Sequence, residues 1–294
     1  MIIREDRRAL PTRSREHLHI STDGSIRVRP AATAGGAALT LRHEIAADDE
    51  GAADELLRLL ALEITPDHPT LAIAARYQGR RRRQAKVWPP VRTEVTVTLP
   101  APFSARLESG GHRIDVGNVA GDVLVASGGG VVTLGRIGGS VAVRSGGGEV
   151  RLAAAIGPVD LRTAGGRVQA GTLAGPASFQ TSGGAVQIAR VAAALHAATD
   201  GGAFQAGIGW LGHPSRIVTR DGAVWLSLSP DLACDLDVHA RSVTVGLTGA
   251  KTAATREPDG KVRLRGRLNG GGPALVIEAD DVRLEPGRQD DYTQ

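Results

Sequence analysis

Aromatic residues are nearly missing from this chain: three Phe, two Tyr and three Trp make up 3% of its 294 residues. A core built without them must draw on Val, Leu, Ile and Ala, and 41% apolar content in a chain of this length can support one. Cysteine is represented by Cys234 alone. That excludes an intrachain disulfide framework and a thiolate metal cluster, and leaves a buried, inert thiol as the expectation. No run of about eighteen apolar residues occurs, and the opening MIIREDRRALPTRSREHLHI lacks the apolar stretch of a signal peptide. The expectation is a cytoplasmic protein, or one held peripherally at a membrane or other surface through a partner. Lysine is scarce too: Lys86, Lys251 and Lys261 are the only ones, so a net charge of +4 rests on arginine. So small a balance does not point to nucleic acid.

Glycine, by contrast, is abundant at 39 residues, with no Gly-X-Y period, which excludes collagen and assigns the glycines to turns. Their placement is periodic. Ser109, Ser127, Ser145, Thr163, Thr181 and Thr199 follow one another at intervals of 18 residues without insertion. Two positions after each comes Gly111, Gly129, Gly147, Gly165, Gly183 or Gly201. Apolar residues stand five and seven positions after the hydroxyl, as in Val132/Leu134 and Val150/Leu152, and fourteen and sixteen after it, as in Val141/Val143 and Val159/Leu161. A spacing of two is strand spacing. Each unit is therefore two short strands joined by glycine-rich turns.

One such unit has nowhere to bury its apolar face, whereas stacked units place like residues over like at roughly 4.8 Å and make a continuous interior. The predicted fold is all-β: a β-solenoid, a single-stranded β-helix with rungs of ~18 residues. The glycine column marks a repeated corner that needs a permissive backbone, and the Ser/Thr column can run beside it as a hydroxyl ladder. Gln169, Gln187 and Gln205 share one outward position and suggest an amide ladder. A calcium β-roll would require an Asp column, which is missing. A hexapeptide helix would require an aliphatic residue every six, whereas the spacings here alternate two and seven. A right-handed or flattened two- to three-sided coil fits better, although handedness itself is not written in the pattern.

The regular solenoid is assigned to residues 101–249, with terminal rungs, a cap and a loose tail over 250–294. Residues 1–100 are less regular and are read as leading strands and a helical cap, because an open solenoid end would expose unpaired edges. Within them DDEGAADELLRLLALEI predicts a helix over about 49–63, capped by Asp48 or Asp49 with Leu56, Leu57 and Leu60 on one face. The basic loop GRRRRQAK occupies 79–86.

VTVTLP followed by LESGGHRIDVGNVAGDVLVASGGGVVTLGRIGGSVAVRSGGGEV resembles the bacterial putative-adhesin family, a domain of unknown function with SG-x-V-x-V repeats. LNGGGPALVIEADDVRLE is similar to that family's closing rungs. The resemblance covers about residues 90 to 285 and implies a β-helix. It identifies an architecture more than an activity, and the missing signal or anchor departs from secreted members.

Arg80, Arg81, Arg82 and Arg83, with Lys86, are the sharpest charge cluster, read either as a contact for an anionic surface or partner or as a solvated hairpin loop. Trp88 beside them reads as a stacking or interfacial ring, or as cap packing. His17 and His19 would share a strand face, but His43, His68, His112, His196, His213 and His239 are scattered and supply no third metal ligand. Glu108, Asp115, Asp122, Glu149 and Asp160 could form a carboxylate pair across rungs, yet they fall in different columns. The SGG runs lack the Lys and helix of a phosphate loop, and Ser109 and Ser127 lack a paired His. The expectation is thus a non-enzymatic scaffold, without metal or cofactor, that contacts a protein partner or itself. The alternatives are a carbohydrate-active β-helix enzyme and a polymerising, bactofilin-like element; a chain capped at both ends should form no filaments.

Overall fold

The computed structural model describes residues 1–10, 17–31, 36–65, 69–80, 88–247 and 251–287, which form twenty-five strands and one helix. Val, Leu and Ile at alternate positions are buried while their neighbours face outward, as in Val123–Ser127 and Val159–Thr163. Strands one rung apart pair in parallel, with Val123 against Ala105 and Val159 against Ala177, so the fold is all-β and of the β-solenoid class. The contacts divide the chain into two compact units, Met1–Gly139 with Arg144–Gly148, and Ser140–Val143 with Glu149–Gln294.

In the first unit the rungs are out of chain order. His17–Thr22 lies parallel between Thr70–Tyr77 and Ser104–Ser109. Ile26–Pro30 likewise lies between Val91–Leu99 and Ile114–Val116. Residues 17–30, expected to lead into a cap, are instead a rung of the stack. Beyond the lowest rung, Ala38–Ile45 pairs antiparallel with Val91–Leu99, and Ile2–Ala9 pairs antiparallel with Ala38–Ile45.

The helix forms over Glu50–Leu57 only, shorter than the expected 49–63. Asp49 caps it, its carboxylate accepting the Ala52 N–H at 2.8 Å. Past it the chain becomes the strand Leu60–Thr65, which pairs antiparallel with Thr70–Tyr77. A longer helix would leave that edge unpaired, and the backbone ladder wins. Leu56, Leu57 and Leu60 still meet at one place, against Ile45, Ala53 and Val91.

In the second unit Val150–Ala155, Val168–Leu173, Val186–Ala192, Phe204–Trp210 and Ala223–Leu228 stack on one side. Val159–Thr163, Ala177–Thr181, Leu195–Thr199 and Ser215–Thr219 stack on the other. Ala274–Pro286, expected among the closing rungs, runs inside the stack. It pairs in parallel with Ser215–Thr219 and Ala223–Leu228 on one edge and with Cys234–Val245 on the other. Antiparallel Val262–Leu268 and Lys251–Arg256 follow on the outside.

The interior has a column that the spacing of two hides. Ten residues after each of the first five hydroxyls, Ser109 to Thr181, stand Val119, Ile137, Ala155, Leu173 and Val191, all buried. The step of three from Leu134 to Ile137 bends the strand and turns a third side chain inward. Phe103, Phe179 and Phe204 are all buried. Phe179 lies in register with Ala197, and Ala177 with Leu195, so large residues alternate with small ones instead of stacking on their own kind.

Candidate interaction surfaces

The corners are built from the hydroxyl column. Ser109, Ser127, Ser145, Thr163, Thr181 and Thr199 are all buried. Their oxygens serve their own turns: Ser145, Thr163, Thr181 and Thr199 accept the N–H three residues on, from Gly148, Gly166, Gly184 and Gly202, at 3.0–3.2 Å. Thr22 and Thr219 extend the file, opposite Ser109 and Thr199. Both were missed because a fixed interval of 18 does not reach them, although Thr219 has Val224 and Leu226 at the regular five and seven positions.

The predicted glycine column divides. Gly111, Gly129 and Gly147 take φ of 134°, 145° and 144°, a region that favours glycine. Gly165, Gly183 and Gly201 do not, and a Cβ on them would meet open space. The steric demand sits one residue later: a Cβ on Gly130, Gly148, Gly184 or Gly202 would fall 2.1 Å from a carbonyl oxygen of the rung beneath.

On the first unit, outward residues enclose an open groove of about 390 Å³ lined by His17, His19, Ser104, Arg106, Asp122 and Leu124. His17 and His19 do share a strand face, and small neighbours in register, Ala72 and Ser104, leave the depression beside them. His19 Nε2 lies 3.7 Å from Glu108. Arg106 binds Glu108 at 2.9 Å and holds its carboxyl below the usual range.

Four of the five acids considered as a cross-rung pair, Glu108, Asp115, Glu149 and Asp160, meet arginines instead. Arg29 grips Asp115 through two hydrogen bonds of 3.1 and 2.8 Å, and these hold the Asp115 carboxyl below its ordinary value. Glu149, just ahead of the strand Val150–Ala155, pairs with Arg151 in it, and Asp160 pairs with Arg162 within Val159–Thr163. Cys234 is fully buried, and burial pushes its thiol up to about 11. Arg80 is exposed just beyond the strand Thr70–Tyr77. Arg81, Arg82, Arg83 and Lys86 lie outside the described residues. Trp88 packs edge-to-face on Tyr77, with ring centroids 5.5 Å apart.

On the second unit the amide column is in register: Gln169 faces Gln187, and Gln187 faces Gln205. It continues through Arg151 on one side and through Trp225 and Arg283 on the other. Two residues along each strand, Ala189, Gly207 and Ser227 keep the adjoining strip low. Trp225 is 52% exposed, and Trp210, at the end of the neighbouring strand, is 60% exposed. The sequence offered no signal that the Trp225 indole faces outward beyond its alternation with Val224 and Leu226. His239, one of the scattered histidines, converges with Glu257 and Asp259 at the outer hairpin of this unit.

Among the described residues no helix is long and apolar enough to cross a membrane. No protein-family model and no curated protein matches the chain. Among solved structures, a putative adhesin from Parabacteroides merdae is similar at 10% identity and a TM-score of 0.45, over 96% of this chain and 95% of the other. A putative adhesin from Bacteroides fragilis is similar at 12% identity and a TM-score of 0.41, over 97% of each chain. A putative cell adhesion protein from Clostridium sporogenes is similar at 10% identity and a TM-score of 0.28, over 97% of this chain and 100% of the other.

Proposed function

We propose that this protein is a non-enzymatic interaction scaffold that contacts a protein partner, or a second copy of itself, through the outward face of its second unit. The observation that carries this reading is the file Gln169, Gln187, Gln205, Trp225, Arg283, set in register with its indole half in solvent. An exposed indole in an ordered file is the kind of group that gains most on association, since burying it removes a large apolar surface from water while its N–H keeps a polar handle. Flanking amides offer donors and acceptors at rung spacing, and the low strip of Ala189, Gly207 and Ser227 gives an opposing surface room to approach.

The test compares the wild-type chain with W225A and Q187A/Q205A in sedimentation velocity and in quantitative capture from the native host. The expected result is a single association, saturable and weakened at least about tenfold in W225A, as for a hot-spot residue. Turnover of a glycan or ester by the wild-type protein, abolished by one point substitution, would overturn the reading in favour of a carbohydrate-active enzyme.

A further inference from the structure

Strand Val262–Leu268 pairs antiparallel with Cys234–Val245 and sets Arg263 opposite His239. Between Lys251–Arg256 and Val262–Leu268 the chain turns through Glu257–Lys261. The turn is closed by the Glu257 N–H donating to the Lys261 carbonyl at 2.8 Å and the Gly260 N–H donating to the Glu257 carbonyl at 3.0 Å. Gly260 takes a φ of 84°, and the Asp259 Oδ1 accepts the Lys261 N–H at 3.0 Å. This turn folds two carboxylates back over His239. Nε2 lies 3.0 Å from Glu257 Oε2 and 3.9 Å from Asp259 Oδ2, and one donor atom from each residue lies within 4.8 Å of the other two.

Two features separate this cluster from an ordinary surface ion pair. The Nε2 atom is shielded from water and has no hydrogen-bond partner, although a carboxylate oxygen is 3.0 Å away; the approach is close but misaligned for a hydrogen bond. Arg263, set opposite His239, gives its short hydrogen bonds, 3.0 and 2.7 Å, to the two oxygens of Asp237 and only a longer ion pair of 3.7 Å to Glu257. Ligands about 2.1 Å from a common ion lie roughly 3 to 3.5 Å apart, a separation within the spread seen here.

We propose that His239, Glu257 and Asp259 bind one divalent transition-metal ion, with Zn²⁺ as the reference, leaving its remaining positions to water. The imidazole selects against Mg²⁺ and Ca²⁺, which take oxygen ligands, and the two carboxylates balance the charge of the ion. The ion pins the hairpin turn to the strand Cys234–Val245 and so ties down the outer edge of the second unit. This inference is independent of the contact face around Trp225.

Chelator-treated full-length protein, titrated with Zn²⁺ by calorimetry at neutral pH, is expected to take up one equivalent at this site and to gain thermal stability as it does so. H239A and E257Q/D259N should each weaken that equivalent at least tenfold and abolish the thermal gain. H17A/H19A should leave both unchanged, and Mg²⁺ should not compete. Circular dichroism of each variant separates loss of binding from loss of fold, and the milder E257Q alone should show an intermediate affinity. No uptake by the wild-type protein, or an equivalent retained in folded H239A and lost in H17A/H19A, overturns the proposal.

Discussion

Neighbouring glycines of one corner, identical in sequence, stand in opposite steric positions. At Gly184 a Cβ would sit 2.1 Å from the carbonyl oxygen of Gly166, an atom fixed in the next rung's backbone, while at Gly183 it would meet nothing within 4 Å. G184A is therefore expected to destabilise the protein by about 2 kcal/mol or more, and G183A to stay within about 0.5 kcal/mol of wild type. Denaturant unfolding of the two variants is the check, and equal midpoints would remove the argument. His43 gives a residue-scale prediction about pH. It is buried, its Nδ1 lies 3.0 Å from Thr93 Oγ1, and burial lowers its pKa against a smaller opposing pull from Asp6. The folded state thus favours the neutral ring. As pH falls through the ordinary histidine range the unfolded chain takes up the proton first, so stability is full above that range and declines until the lowered folded value is passed. The melting temperature of wild type should drop more steeply between about pH 7 and about pH 5 than that of H43L; parallel slopes would mean that His43 is not the titrating group.

Elements drawn from distant parts of the sequence need some means of fixing their register. For the inserted rung 17–30, inward Ile26 and Val28 meet Ile114 and Val116, and outside them Arg29 grips Asp115 across the strand pair. The Asp115 side chain is mostly buried while that of Arg29 is only partly so, which limits the pair to about 1 kcal/mol. A double-mutant cycle of R29Q and D115N should return a coupling of that size, and a coupling indistinguishable from zero would leave register to the apolar residues alone. The edges show a different device. Ile2–Ala9, IIREDRRA, has one side paired and carries Arg4, Glu5, Asp6, Arg7 and Arg8, and Arg4 is ion-paired with Glu50 and Asp54 of the helix. Such a charged edge is a poor template for another strand.

At the scale of the whole chain, the 18-residue interval made each regular rung legible: its two strands, its buried hydroxyl and its small corner follow from residues that are neighbours along the chain. The third inward column was hidden because its step of three breaks the alternation of a strand, and in isolation such a step reads as helix spacing. The helix was overextended because Leu60 satisfies helical spacing equally well, and only the empty edge of Thr70–Tyr77 makes it a strand. Trp225 and the cluster of His239, Glu257 and Asp259 were missed for one reason: outward position and convergence depend on which rung lies beside which. The sequence by itself determined the repeat, the β-solenoid class and the residues that turn each corner, since steric fit at a turn and alternation along a strand are local. Only the tertiary structure decided that residues 17–30 and 274–286 are laid between rungs distant from them in sequence. Parallel rungs join through backbone N–H and C=O groups that are alike at nearly every residue, so the order of stacking is set by which apolar faces and open edges the finished fold must cover.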